Sequence, residues 1–149
     1  ALAESLTGGQ LTASLIDAPG ASEVVLGGLV TYQDELKEQL LGVSPALIES
    51  QTAVDAEVAA QMAEGVRQKL ALKCSKDPDQ VIGVATTGVA GPEPVGPHLA
   101  GTVFIAVASR LGVKVFAHQF DGQRSEIRNL ATAYGLEVIT EEIQQLAGY

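Results

Sequence analysis

The sequence has one cysteine, two histidines and no tryptophan. A lone cysteine cannot form an intramolecular disulfide, and these few residues share no spacing that would hold a metal ion. We therefore expect no metal site. No run of the chain approaches the roughly 20 apolar residues that a membrane-spanning helix needs. These absences favour a soluble protein of a reducing compartment, and we expect no membrane association and a cytoplasmic location.

Basic residues are also scarce. Nine lysines and arginines stand against 18 acidic residues, which gives a formal net charge of -9. Such a chain repels polyphosphate backbones, so nucleic-acid binding is not expected. The 149 residues suffice for one hydrophobic core, and we expect a single domain over 1–149. Because Ala1 is not preceded by methionine, we also expect that a preceding helix and the start of the first strand lie outside this sequence.

The first third of the chain predicts a strand, a glycine turn and a helix. Residues 1–6 are typical of a strand end, Thr7-Gly8-Gly9 of a turn, and Gln10 to Ile16 of a short helix. The second half of the apolar run 24–32 predicts a buried strand. Residues 33–41 have the composition of a helix, and Lys37 falls on its polar face.

The middle of the chain carries helix caps and a strand. Ser44 and Pro45 form a cap and first-turn pair, and Asp55 can cap a longer helix in which apolar residues recur every four positions. The run 81–85 predicts a central strand. The Gly- and Pro-rich segment 86–100 predicts a long loop of the kind that carries function.

The last third predicts a hairpin and a long helix. The β-rich runs 101–109 and 114–120 are close enough in sequence for a hairpin, and a final helix is expected over 125–146 with Ser125 as its cap. Strands separated by covering helices, with one late hairpin, favour an α/β fold. We expect a three-layer α/β/α sandwich around a mixed, mostly parallel sheet.

Ser5 stands where the first strand gives way to the glycine turn. Backbone N–H groups of such a turn can point at an anion that develops on a substrate bound to the serine, which suits acyl transfer. The position fits equally well a plain turn in which Ser5 bonds to local backbone groups. A nucleophilic serine also needs a base to take its proton.

Lys37 is the more promising base, although a solvated helix lysine is the commoner interpretation of such a residue. It follows the strand end at Thr31-Tyr32, where the sites of parallel sheets assemble, and Tyr32 could hydrogen-bond either partner. Lysine acts as a base only if its pKa falls from about 10.4 toward neutrality. His98 and His118 lack a spaced aspartate, so a Ser-His-Asp triad is not supported.

Two further segments could bind an anion. The stretch from Thr87 to Pro92 follows a strand and offers several backbone N–H groups to a phosphate or a ribose. Arg124 and Arg128 are one helical turn apart and could face one anion, although such pairs are more often surface charge.

Five segments in register resemble the CinA C-terminal domain family, the nicotinamide-nucleotide amidases found as free-standing enzymes and at the C-terminus of competence/damage-inducible CinA proteins. Along the chain they are Ala3-Glu4-Ser5-Leu6-Thr7-Gly8-Gly9; Val30-Thr31-Tyr32 with Lys37 and Leu41-Gly42-Val43; Gly88-Val89-Ala90-Gly91-Pro92; Gly101-Thr102-Val103; and Gly122-Gln123-Arg124 with Arg128. The resemblance covers essentially the whole chain. Two departures are Asp55, where the family usually has a serine, and the loop 93–100, which differs from the usual lysine-Pro-Val-Gly-Thr sequence.

The resemblance implies hydrolysis of nicotinamide mononucleotide to nicotinic acid mononucleotide and ammonia through a serine acyl-enzyme, without a cofactor. It implies a Ser-Tyr-Lys arrangement with Ser5 as nucleophile, Lys37 as general base and Tyr32 as a hydrogen-bonding relay. We assign the amides of Thr7, Gly8 and Gly9 to the oxyanion hole. The expected substrate-binding residues are Thr31, Thr87, Gly88, Ala90, Gly91, Arg124 and Arg128.

Two other interpretations stay open. The chain could be a CinA-type domain that binds a nucleotide or a partner protein without turnover. It could also be an amidase for another small carboxamide, which is favoured if the altered loop 93–100 reshapes the pocket. Its expected partner is a small-molecule nucleotide, and exposed apolar positions on so small a chain are compatible with a homo-oligomer.

Overall fold

The structure, a computed structural model, describes residues 1–148 as a central sheet with helices on both faces. The strands are β1 (Leu2–Glu4), β2 (Gly28–Val30), β3 (Gly83–Gly88), β4 (Thr102–Ser109) and β5 (Gly112–Gln119). The helices are α1 (Gln10–Ile16), α2 (Ala21–Val24), α3 (Asp34–Leu41), α4 (Pro45–Gln51), α5 (Ala56–Lys73) and α6 (Arg124–Leu146), with a short 3-10 turn at Pro78–Gln80.

The sheet has the strand order β2-β1-β3-β4-β5. β1 pairs in parallel with β2 and β3, whereas β3–β4 and β4–β5 are antiparallel pairs. The expected mixed sheet, central third strand and late hairpin are confirmed. Two of the four strand pairings are parallel and two are antiparallel, so the expected predominance of parallel pairing is only partly confirmed.

Side chains alternate between the two faces of the sheet and build a core on each. On one face, Ala3, Ala85 and Ala106 pack with Val58 and Met62 of α5. On the other face, alternate residues of the same strands pack against α1 and α6; they are Leu2, Val84 and Ile105, with Leu11 and Ile127 from the helices. The three-layer α/β/α architecture is therefore confirmed.

Local capping signals were good guides to the helix starts, with one exception. Ser44 Oγ accepts the N–H of Leu47 at 3.3 Å, and Asp55 Oδ1 accepts the N–H of Glu57 at 2.8 Å. Both predicted caps are confirmed. Ser125 does not cap the last helix, because that helix already begins at Arg124 and Gln123 occupies the capping position.

The prediction of a buried strand within residues 24–32 is wrong. β2 is the outermost strand of the sheet, and its Gly28 and Val30 are exposed. Leu29 alone of its three residues packs against a core. The predicted loop also starts later than expected, because residues 86–88 still pair with β4. Position at the edge of a sheet depends on strand order, which an apolar run does not encode.

Candidate functional site

Ser5 lies immediately after β1, between the ends of two parallel neighbours. Its N–H donates to the carbonyl oxygen of Thr86 at 3.0 Å, and the N–H of Thr31 donates to the carbonyl of Glu4 at 2.9 Å. These bonds continue the register of the paired strands by one residue. Ser5 therefore follows in line between Thr31 and Thr87, and all three residues are buried.

The carboxylate of Glu4 holds the start of α1 beneath this serine. Glu4 is completely buried. Its Oε1 accepts the N–H of Gly9 at 3.2 Å and of Leu11 at 2.9 Å, and its Oε2 accepts the N–H and the hydroxyl of Thr12 at 2.9 and 2.6 Å. A buried carboxylate is tolerated when donors surround it in this way. The Glu4 carboxylate therefore compensates the partial positive charge of the free N–H groups at the start of α1.

This arrangement revises the expected oxyanion hole. The N–H of Gly9 is bound to Glu4, and that of Gly8 donates to the Ser5 carbonyl at 3.1 Å. Neither amide is free to bind an oxyanion in this conformation. In contrast, the N–H groups of Leu6 and Thr7 have no hydrogen-bond acceptor within residues 1–148.

Lys37 does not lie on a solvated polar face, as the helix pattern predicted, but is 1% exposed. Its Nζ donates to the carbonyl oxygens of Thr31 at 2.9 Å and Tyr32 at 3.2 Å, and lies 3.6 Å from Asp34 Oδ1. Burial lowers the pKa of Lys37 from its ordinary value, against the opposing effect of the Asp34 carboxylate. Burial therefore shifts the pKa of Lys37 in the direction that a lysine base requires.

Lys37 and Ser5 lie on the same side of the sheet. Ala3 precedes Ser5 by two residues, and Leu41 follows Lys37 by one helical turn; both belong to the core beneath α3 and α5. The lysine is bonded to the carbonyl of Thr31, which is the residue beside Ser5. The fold thus brings a buried amine to the strand end that carries the candidate nucleophile.

A cleft of about 350 Å³ opens at Ser5. Arg124 spans it, since Nη1 donates to the Gly91 carbonyl at 2.6 Å and Nη2 to the Tyr32 hydroxyl at 3.2 Å. Six of the predicted site residues line this cleft, namely Ser5, Tyr32, Gly88, Ala90, Gly91 and Arg124. The Tyr32 hydroxyl is bonded to Arg124. Lys37 therefore contacts Tyr32 through the backbone carbonyl of Tyr32 and not through its hydroxyl.

Three predicted substrate contacts lie outside this cleft. Arg128 donates to the carbonyls of Leu6 at 2.7 Å and Thr7 at 3.4 Å, so it supports the turn after Ser5 from behind. Thr87 donates its hydroxyl to the Ala53 carbonyl at 2.7 Å. Thr31 is completely buried, and its hydroxyl oxygen has no partner within residues 1–148. Their side chains are structural in this conformation because each is committed to, or enclosed by, the protein.

A second cavity of about 500 Å³ lies elsewhere. It is lined mainly by apolar side chains, among them Leu15, Val25 and Ile139, and by none of the predicted site residues.

Among residues 1–148, no group of three His, Cys, Asp or Glu side chains is placed to hold a metal ion. Within the same range, no helix has the length and apolarity to cross a membrane. The cleft at Ser5 is therefore the candidate active site.

Sequence reasoning missed four residues of this neighbourhood. The sequence pattern assigned no role to Glu4 or Asp34, although the Glu4 carboxylate binds the amides at the start of α1 and Asp34 faces Lys37. Leu6 and Glu93 line the cleft. A signal existed for Glu4, because a carboxylate at a strand end just before a glycine turn can reach the free amides of the following helix.

Comparison with known proteins gives a consistent result. A family model described as the CinA C-terminal domain matches residues 1–143. A protein of Pediococcus pentosaceus named as competence-damage inducible is 42% identical over 142 residues, which are 95% of this chain and 32% of that protein. A CinA-like protein of Frankia casuarinae is 40% identical over 139 residues, or 93% of this chain and 30% of that protein. This chain thus spans about a third of the length of these curated relatives.

Solved structures agree with the sequence matches. A competence-damaged protein (CinA) superfamily protein of Escherichia coli superposes with a TM-score of 0.83 at 31% identity, over 93% of this chain and 77% of that one. The competence/damage inducible protein CihA of Agrobacterium tumefaciens gives a TM-score of 0.81 at 31% identity, over 94% and 82% of the two chains. Fold and sequence therefore point to the same group of proteins.

Proposed function

Because the chain belongs to the CinA C-terminal domain family, we propose that it hydrolyses the carboxamide of nicotinamide mononucleotide, releasing ammonia and nicotinic acid mononucleotide. The observation that carries the chemistry is the buried amine of Lys37, bonded to the backbone beside Ser5. The substrate follows from the resemblance of the site segments to the nicotinamide-nucleotide amidases. The cleft that contains Ser5 and Arg124 supports both parts of the proposal.

The first step is attack of Ser5 Oγ on the carboxamide carbon, with its proton passing to Lys37 Nζ. A neutral lysine amine has two N–H bonds and one lone pair. The Thr31 and Tyr32 carbonyls accept both N–H bonds, which leaves the lone pair in the remaining tetrahedral direction. Burial favours this neutral form, and the neutral amine is the form that can act as a base.

The resulting oxyanion needs donors that the protein has left unpaired. Leu6 follows the nucleophile, lines the cleft and has a free N–H, so we assign this amide to the oxyanion hole. Lys37 then returns the proton to the amide nitrogen, the C–N bond breaks and ammonia leaves. A water molecule hydrolyses the Ser5 ester with Lys37 again as base, which regenerates the serine and releases the carboxylate.

Arg124 is the cationic side chain among the residues that line the cleft. Its guanidinium holds only neutral acceptors, the Gly91 carbonyl and the Tyr32 hydroxyl. A phosphate would offer it charge-assisted, bidentate bonds. We assign Arg124 to the substrate phosphate, and the Tyr32 hydroxyl beside it to the ribose or the carboxamide.

An amidase for a different small carboxamide is the second candidate. Glu93 lines the same cleft, and its carboxylate would repel a phosphate that approached it. Ammonia release should therefore be measured with nicotinamide mononucleotide, nicotinamide riboside and nicotinamide. The proposal predicts turnover of the mononucleotide far above the other two. Faster turnover of a non-phosphorylated compound would support the second candidate, and binding of the mononucleotide without ammonia release would indicate a non-catalytic domain.

A further inference from the structure

We propose that Asp34 is a positioning residue that clasps the Lys37 ammonium in the resting state and competes with Ser5 for it. The inference deepens the proposed function, because it concerns regulation of the base that the reaction uses. A lysine ammonium has three N–H bonds in tetrahedral directions. Two of them have acceptors in the Thr31 and Tyr32 carbonyls. The third N–H bond can point to Asp34, which stabilises the ammonium, or to Ser5, the nucleophile.

The Asp34 carboxylate lies close enough to Lys37 Nζ to attract its third N–H bond. It is the first residue of α3, one turn before Lys37, and its Oδ1 lies 3.6 Å from Nζ. This separation is longer than a direct hydrogen bond, so the carboxylate attracts the ammonium without locking it. Asp34 is also 51% exposed, and solvent and salt screen the attraction. The contact is therefore a clasp that can open when the lysine loses its proton.

The surroundings of Lys37 isolate this effect. The other charged group that acts on the amine is Glu35, the next residue of α3, and its effect is weaker than that of Asp34. The end of β2 supplies carbonyl oxygens to the amine, and Leu41, one turn after Lys37, packs into the apolar core that also contains Met62 of α5. Within residues 1–148, the balance at Lys37 is thus between burial, which favours the neutral amine, and the acidic first turn of α3, which favours the ammonium.

The Asp34 contact is therefore expected to lower kcat/KM at low pH. The proposed reaction needs neutral Lys37, so kcat/KM rises with pH through the pKa of the lysine. Removing Asp34 withdraws a contact made only with the charged form, so the pKa of Lys37 falls and the rising limb moves to lower pH. The Asp34→Asn variant is therefore expected to be faster than the parent on the acidic limb and equal to it on the plateau.

The test compares Asp34→Asn with the matched variant Glu35→Gln, which removes a neighbouring charge of the same sign. Two quantities are measured against pH: kcat/KM for ammonia release from nicotinamide mononucleotide, and the side-chain NMR shift of Lys37 in ligand-free protein. We expect Asp34→Asn to lower both midpoints together and to raise the rate on the acidic limb by about threefold to tenfold, since one pKa unit is a factor of ten. Glu35→Gln should shift both by less.

An unchanged lysine titration in Asp34→Asn, or equal shifts in both variants, would overturn the inference. The NMR arm separates the two proposals, because a shifted titration in a protein that releases no ammonia would retain Asp34 and refute the amidase. Should Asp34→Asn fold poorly, salt replaces the variant. Raising KCl to about 1 M in the parent should lower the Lys37 midpoint by screening the clasp, and an unmoved midpoint would contradict it.

Discussion

Lys37 Nζ and the carbonyl oxygen of Thr31 are joined by a 2.9 Å hydrogen bond. Thr31 is in turn bonded through its N–H to the residue before Ser5. A buried helix lysine is thus connected, through one backbone unit, to the strand end that carries the serine. This connection explains how a three-residue edge strand can matter to the site although it contributes little to the core.

Removal of Arg124 tests the assignment of the phosphate. Arg124→Ala should raise the KM for nicotinamide mononucleotide by roughly tenfold to a hundredfold, because a charged hydrogen-bond pair is lost. The KM for nicotinamide riboside, which lacks the phosphate, should change little. Steady-state ammonia release on both compounds measures the difference. Arg110→Ala, an exposed arginine on the hairpin, is the control; equal losses on both compounds in Arg124→Ala would refute the assignment.

Arg128 supports the turn after Ser5 without lining the cleft. We expect Arg128→Ala to lower kcat by about tenfold or more and to leave KM nearly unchanged, because small displacements of a reacting group reduce the rate without removing substrate contacts. Arg128→Lys should restore only part of the rate, since one ammonium cannot reproduce the guanidinium fork. A variant in which KM rises and kcat is retained would place Arg128 at the substrate instead.

Glu4 should matter to stability more than any surface carboxylate. Glu4→Ala leaves the amides of Gly9, Leu11 and Thr12 without their acceptor, and we expect a loss of roughly 3 kcal/mol in the free energy of unfolding. Urea unfolding followed by circular dichroism measures this value. Glu49→Ala, on the exposed side of α4, should change it by less than about 0.5 kcal/mol. Similar effects of the two substitutions would contradict the role of Glu4.

Protonation of His118 is expected to contribute to the loss of folding stability at acid pH. Its ring stacks on Phe120 and meets the edge of Tyr134, and burial lowers the pKa of His118 below about 6.5 despite the opposing charge of Glu137. Below about pH 6.5 the unfolded chain therefore takes up this proton more readily than the folded one, and stability falls until the folded pKa is reached. His118→Phe should reduce the drop in Tm between about pH 7.5 and pH 5.5. An unaltered drop would show that other groups dominate.

Features with local causes could be predicted from the sequence. The caps Ser44 and Asp55 and the bounds of α1 depend on residues within one turn, and the structure has them as expected. The Ser5 turn and the cleft segment at Gly88–Gly91 were found for the same reason, since glycines and strand ends mark them in the sequence.

Features set by distant parts of the chain could not be predicted. On α3, Leu36 and Leu40 are 37% and 38% exposed whereas Lys37 and Leu41 are buried. From the apolar pattern alone, Leu36 and Leu40 would be expected to face the core in place of Lys37. The preference is reversed because the carbonyls at the end of β2 offer acceptors to the lysine, and their position depends on strand pairing. The same limitation hid the exposure of β2 and the bonds of Gly8 and Gly9.

The most direct test of the central claim is to trap the Ser5 ester. Protein quenched with acid during turnover of nicotinamide mononucleotide should show, by peptide mass spectrometry, a nicotinate-mononucleotide acyl adduct on Ser5. Ser5→Ala and Lys37→Met should lack both the adduct and ammonia release, whereas Lys73→Met, an exposed lysine on α5, should retain both. Ammonia release that persists in Ser5→Ala, or an adduct on another residue, would contradict the account.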